Sequence, residues 1–174
     1  MISLAGFSWL SNFIDKKVGE RVREGLESYR QDMKDYVDLF NCRVHTYLGY
    51  MAWHDKRIDE AIRITETALQ FTVDPNSEWL AHVKSNLAFY YAQAGRKDLK
   101  TKAIEYAQFA ISRLPAFPHR INWAANEGYV RLKFAEGDEE KKAAVEVCRD
   151  VRNKYPGLAS EMNEYLEEAG EREN

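Results

Sequence analysis

The chain has 174 residues, 45% of them hydrophobic and 30% charged, with four prolines and a formal net charge of −3. That length suits one ordinary domain with a buried core, and the composition describes a soluble helical protein rather than a disordered chain. Without an excess of Lys and Arg to neutralise phosphates, no nucleic-acid partner is expected.

Two cysteines far apart in the chain, Cys42 and Cys148, with no CxxC spacing, fit the reduced thiols of a cytoplasmic protein. The acidity is concentrated at the end of the chain. Residues 157–174 hold six Glu and one Arg, a net −5, which leaves the other 156 residues at +2. Such a segment reads as a solvated terminal helix.

In chain order, MISLAGFSWLSNFI opens the sequence without a charged side chain. It falls short of the roughly 20 residues that cross a bilayer and lacks the basic start of a secretion signal. Three readings stay open for residues 1–14: packing against the rest of the protein, part of an oligomer seam, or a membrane-proximal contact.

From Phe7 the apolar positions Leu10, Ile14, Val18, Val22, Leu26, Tyr29, Met33, Tyr36 and Phe40 recur every three or four residues. The spacing predicts a long helix, with a strict heptad seam from Leu26 onward. Between Leu10 and Leu26 each step of four overshoots a turn by about 40°, so the stripe drifts around the helix there. The flanks carry six basic and seven acidic residues from Asp15 to Asp38. A narrow seam between mixed charges wants a second helix, either a copy of itself in a homo-oligomer or a later part of the chain. Gly19 and Gly25 weaken the helix by about 1 kcal/mol each, so packing has to hold it. Residues 1–41 are therefore expected as an apolar segment and a coiled-coil-like helix.

Further along, Pro75, Pro115 and Pro156 close three helical stretches at intervals of 40 and 41 residues. Ahead of each proline an alanine (Ala61, Ala103, Ala144) begins an amphipathic run. Ahead of each alanine come a turn and another helix: TYLGYMAWH, SNLAFYYAQAG and NEGYVRLKFAEG. Periodicity of this length is the mark of stacked helix–turn–helix units, none of which could bury its apolar face alone. Asp74, Asn76 and Ser77 supply turn and cap chemistry before Trp79. Gly95 and Gly137 suit left-handed C-terminal positions, and Ser160 could cap a last helix reaching about Gly170.

These residues resemble the tetratricopeptide repeat (TPR) family over about residues 42–156. Leu48–Gly49 and Leu87–Ala88 match its large–small pair, and Tyr91 and Gly95 match the following aromatic and turn glycine. Ala61 and Ala68, then Ala103, Ala107 and Ala110, match its second-helix alanines, and Pro75 and Pro115 its closing proline. The third unit is degenerate: Gly137, Ala144 and Pro156 fit, while Tyr129 and Val130 stand at the large–small pair. The period near 40, against roughly 34 for the standard unit, leaves a HEAT-like arrangement as the alternative.

The resemblance implies an all-α fold, with antiparallel helix pairs stacked as a right-handed solenoid. Units are expected at about 42–76, 77–117 and 118–156, followed by an acidic capping helix and tail at 157–174. Small residues at Gly49, Ala88, Ala61, Ala103 and Ala110 would let paired helices approach, with Leu48, Leu87 and Tyr91 filling the space between.

The same resemblance implies a concave groove that binds a protein or peptide. Carried over in register, its lining is Arg43, Thr46, Tyr50 and Trp53, then His82, Ser85, Asn86 and Phe89, then Asn126, Glu127 and Arg131. Members that grip a C-terminal carboxylate use two lysines, an arginine and two asparagines; only Asn86 matches here, with Thr46 and Tyr50 at two of the other places. A mixed aromatic and polar groove for a peptide or helix is therefore preferred, unless Tyr50, Trp53 and Phe89 pack on the N-terminal helix of the same chain.

Catalytic motifs are missing from the sequence. None of His45, His54, His82 and His119 belongs to an HExxH, a Cys–His zinc spacing, a GxSxG or a phosphate loop. Cys42 and His45 share a helical face but lack a second ligand pair, so neither a metal nor another cofactor is expected. The expected role is a non-enzymatic interaction module or scaffold. The alternative, from a different class, is a small-molecule or catalytic site around His45, His54, His82 and Trp53.

Overall fold

A computed structural model describes residues 4–71 and 73–171, with side chains from residue 13 onward. The side chains of Phe7 and Leu10, and most of the apolar opening segment, lie outside the described residues. The described chain is all-helical and has no strand. Seven α-helices follow one another: α1 (Leu4–His54), α2 (Ile58–Ala68), α3 (Glu78–Gln93), α4 (Lys100–Arg113), α5 (Asn122–Phe134), α6 (Gly137–Lys154) and α7 (Ala159–Glu168). No helix of the described residues is long and apolar enough to cross a membrane.

Local chemistry sets several of these boundaries. Before α3, the Asp74 carboxylate accepts the Asn76 N–H at 2.7 Å and Ser77 Oγ accepts the Leu80 N–H at 3.2 Å, satisfying one of the orphan donors of the first turn. At its other end Gly95 takes φ +63°, and the N–H groups of Gly95 and Arg96 reach back to Ala92 O and Tyr91 O. Gly170, with φ +81°, closes α7 by the same pair of bonds, to Glu167 O and Leu166 O. Two expectations change. Gly137 is left-handed but begins α6 rather than ending a helix, and α7 starts at Ala159 without a side-chain cap, so Ser160 lies inside the first turn.

The chain divides into two compact units, Met1–Asp38 and Leu39–Asn174. In the first, the helix exposes its apolar seam from Ile14 to Tyr36, with exposures from 45% at Met33 to 67% at Tyr36. The second contains residues 39–54 of α1 and the other six helices. There α3 packs on α2, α4 and α5, while α5 packs on α3, α4, α6 and α7. Leu87, Tyr91, Val83, Trp123, Val130 and Met162 have essentially no exposed surface and form its centre. Ala61, Ala103 and Ala144 are buried on α2, α4 and α6. No break in α1 marks the expected boundary at residue 41.

One expected core position is overturned. Leu87 is fully buried, but Leu48 is 47% exposed, along with Tyr47 and Met51. These residues belong to the first helix of their unit, which has neighbours from that unit on one side only. A pattern position that fills an interior layer therefore opens outward at an end.

Candidate functional site

Close crossings of paired helices come first, since they decide what the helices between them can present. A Cβ added at Gly49 would lie 2.0 Å from Thr65 Oγ1 and 3.3 Å from Ala61 O, so α1 and α2 touch where Gly49 has no side chain. At Gly128 the same addition would meet Cys148 Sγ at 2.9 Å and Met162 Sδ at 3.7 Å, bringing α5 against α6 and α7. Gly128, not Val130, is thus the close-approach residue of the third helix pair.

With those crossings in place, a row of rings runs across α1, α3, α5 and α7 from exposed Tyr50 through half-buried Trp53 and buried Phe89 and Tyr129 to half-buried Tyr165. Tyr50 stands 5.6 Å from Trp53, Trp53 meets Phe89 edge-on at 5.7 Å, Phe89 lies 4.8 Å from Tyr129, and Tyr129 lies 4.6 Å from Tyr165. Offset and edge contacts at such distances add to area burial. Trp53 donates its indole N–H to Gln93 Oε1 at 2.6 Å. Tyr129 also has the Lys133 ammonium 5.3 Å from its ring, and Lys133 pairs with Glu168 at 2.8 Å. Together Tyr129, Lys133, Tyr165 and Glu168 frame a small hollow of about 140 Å³ between α5 and α7.

The expected groove residues divide by exposure. Arg43 and Tyr50 are exposed, and Trp53, His82, Glu127 and Arg131 are partly so, with Arg131 held by Glu127 through Nε at 2.9 Å and Nη2 at 2.8 Å. Thr46, Ser85, Asn86, Phe89 and Asn126 are buried. Thr46 donates to Cys42 O at 2.6 Å, and Asn126 Nδ2 donates to Ser85 Oγ at 2.9 Å, joining α5 to α3. These buried groups hold the helices that carry the exposed ones.

A second cluster gathers at the start of α3. The Arg43 guanidinium stands 4.8 Å from the Trp79 ring and that of Arg120 5.5 Å from it, while His82 lies 5.8 Å away. Trp123 donates its N–H to His82 Nδ1 at 3.4 Å. Burial, reinforced by the Arg120 charge, pushes the His82 imidazole down to about 4, so it is neutral near pH 7. Glu78 accepts from His119 at 3.0 Å and from Arg120. Burial pulls the Glu78 carboxyl upward, but the hydrogen bonds from His119 and Arg120 outweigh it and hold the group below the usual carboxylate range. The family resemblance marked only Arg43 and His82; Trp79, Glu78, Arg120 and Trp123 come from three segments whose convergence no single-helix pattern records.

The four histidines occupy separate settings. His45 Nδ1 is 2.9 Å from Asn41 O and its ring 5.2 Å from Phe71; His54 lies 6.4 Å from Tyr50; His82 and His119 sit in the Trp79 cluster. Among the described residues no group of three or more His, Cys, Asp or Glu could hold a metal ion. Cys42 and Cys148 are free and fully buried, and burial, aided by the Glu127 charge, pushes the Cys148 thiol up to about 12. Neither is a reactive thiolate near neutral pH. A cleft of about 640 Å³, lined by Ile111, Leu114, Val151 and Tyr155 with Asp150 and Lys154 at its edge, lies between α4 and α6. No family model matches the chain, and no curated protein matches it.

Proposed function

We propose that this chain is a non-enzymatic interaction module: a right-handed solenoid of three TPR-like helix pairs with α7 as its cap. It binds a helix or extended peptide along the edge formed by α1, α3, α5 and α7. The observation that carries the reading is the continuous row Tyr50–Trp53–Phe89–Tyr129–Tyr165. Rigid aromatic anchors with polar neighbours are what peptide-binding surfaces use to gain affinity at low entropic cost. Tyr50, Trp53, Arg43 and Arg131 would meet the partner, while Phe89, Ser85 and Asn126 position them. In this reading the N-terminal helix joins copies of the chain into a scaffold.

Selection from a displayed library of helical peptides tests the groove. Peptides should enrich on the wild-type chain and fail to bind the double variant Tyr50→Ala, Trp53→Ala, whose circular dichroism should match wild type. Enriched peptides that bind both equally would place the binding surface elsewhere. Tyr50 and Trp53 are the proper pair to change, because Phe89 is 8% exposed and its truncation would disturb the core.

A further inference from the structure

From Val18 to Val37, α1 presents apolar side chains whose exposure decides their role: 55% at Val18 and Leu26, 62% at Tyr29 and 67% at Tyr36. At about 100° per residue, the seam positions of this stretch fall within an arc of about 100°, the width of one helix-facing stripe. Gly19 lies within that arc and Gly25 at its edge, both with nothing within 4 Å of an added Cβ. A helix weakened twice and bare along its stripe gains its stability from a covering helix.

Charge identifies that helix. Residues 15–23 carry Lys16, Lys17, Arg21 and Arg23 against Asp15 and Glu20, a net +2; residues 24–38 carry five acids against Arg30 and Lys34, a net −3. The segment is complementary to itself turned end for end. Packing agrees. About a two-fold axis between residues 27 and 28, Leu26 meets Tyr29 of the second copy, Val22 meets Met33, Gly19 meets Tyr36 and Val18 meets Val37. Two of these four layers, Val22–Met33 and Gly19–Tyr36, set a smaller side chain against a larger one. A parallel, in-register pair would stack Gly19 on Gly19 and Tyr36 on Tyr36, alternating voids with crowding.

We propose that residues 18–37 of α1 pair antiparallel with the same residues of a second copy of this chain. The proposal rests on the oligomeric reading of the N-terminal helix given above and fixes its partner, direction and register.

Light scattering on the full chain, combined with spin labels, tests it. The expected mass is twice 20.3 kDa, and Leu26→Asp should weaken association at least about tenfold, with the α2–α7 core intact because Leu26 is exposed. Cys42 and Cys148 are buried, so a single cysteine introduced at Ser28 or at Lys17 takes the label. The antiparallel pair places the two Ser28 labels close together and the two Lys17 labels about 30 Å apart along the axis, at 1.5 Å per residue. A monomeric chain would overturn both this proposal and the oligomeric reading. A dimer with equally short distances at both sites, or one that survives Leu26→Asp, would overturn this proposal alone.

Discussion

Gly25 and Gly49 lie on the same helix and do opposite work. Around Gly25 an added methyl group meets nothing within 4 Å, whereas at Gly49 it would run into Thr65 Oγ1 and the Ala61 carbonyl. The first is an entropic weakness in a stretch whose apolar side chains face outward; the second is the contact point of α1 with α2. Composition alone ranks the two alike, because both appear as helix-weakening glycines. Their surroundings separate them: residues 14–37 carry an exposed apolar seam, and residues 39–54 belong to a packed core.

Truncating one leucine in each region gives the widest separation. Leu87→Ala removes a fully buried side chain between α3 and its neighbours and should lower unfolding stability by about 2–5 kcal/mol in urea titrations. Leu26→Ala, at a site 55% exposed, should change the same measurement by less than about 0.5 kcal/mol at concentrations where the chain is monomeric. Equal losses at the two sites would mean that the seam is already covered within one chain.

Next comes pH, read on the core side of the comparison through His82. His82 titrates near 6.5 when unfolded and about 4 when folded, so between those values the unfolded chain binds the extra proton. Stability therefore falls as pH drops through that window, by up to about 3 kcal/mol. Glu78, held low by His119 and Arg120, adds a further loss as pH falls below its unfolded value of 4.5. Denaturant titrations at pH 7 and pH 5 should show the drop, and His82→Gln should abolish most of it. A slope unchanged in that variant would assign the pH dependence to other groups.

Much of this division could be read from the sequence, and what could not has a physical pattern. Alternating helices, the turn before α3 and the buried alanines Ala61, Ala103 and Ala144 announce themselves through local spacing and cap chemistry. Gly128 escaped because a glycine inside a helix registers as a propensity loss, while its use, the approach of Cys148 and Met162, is a property of three helices together. Tyr129 and Tyr165 joined the aromatic row for the same reason. Leu48 shows the converse: its letters match those of Leu87, but an end helix has no neighbour to bury them. The Trp79 cluster draws Arg43, His82 and Arg120 from distant segments, a convergence that periodicity within one helix does not encode.

The smallest expected effects return to the glycines themselves. Gly49→Ala gains helix propensity but forces Thr65 aside, for a net loss of about 1–2 kcal/mol. In a Thr65→Ala background the contact with Oγ1 is removed while those at 3.3 Å to the Ala61 carbonyl and to the Cβ of residue 65 remain, so the loss should shrink, and a double-mutant cycle reads the coupling directly. Gly25→Ala meets no obstacle and should stabilise its helical turns by about 1 kcal/mol, seen as roughly fivefold slower amide exchange near residue 25. That residue lies at the edge of the seam, so the added methyl group should leave pairing between copies intact. Were Gly25→Ala instead to weaken association, the glycine would mark a close approach between the copies, and this half of the helix would follow the same rule as Gly49.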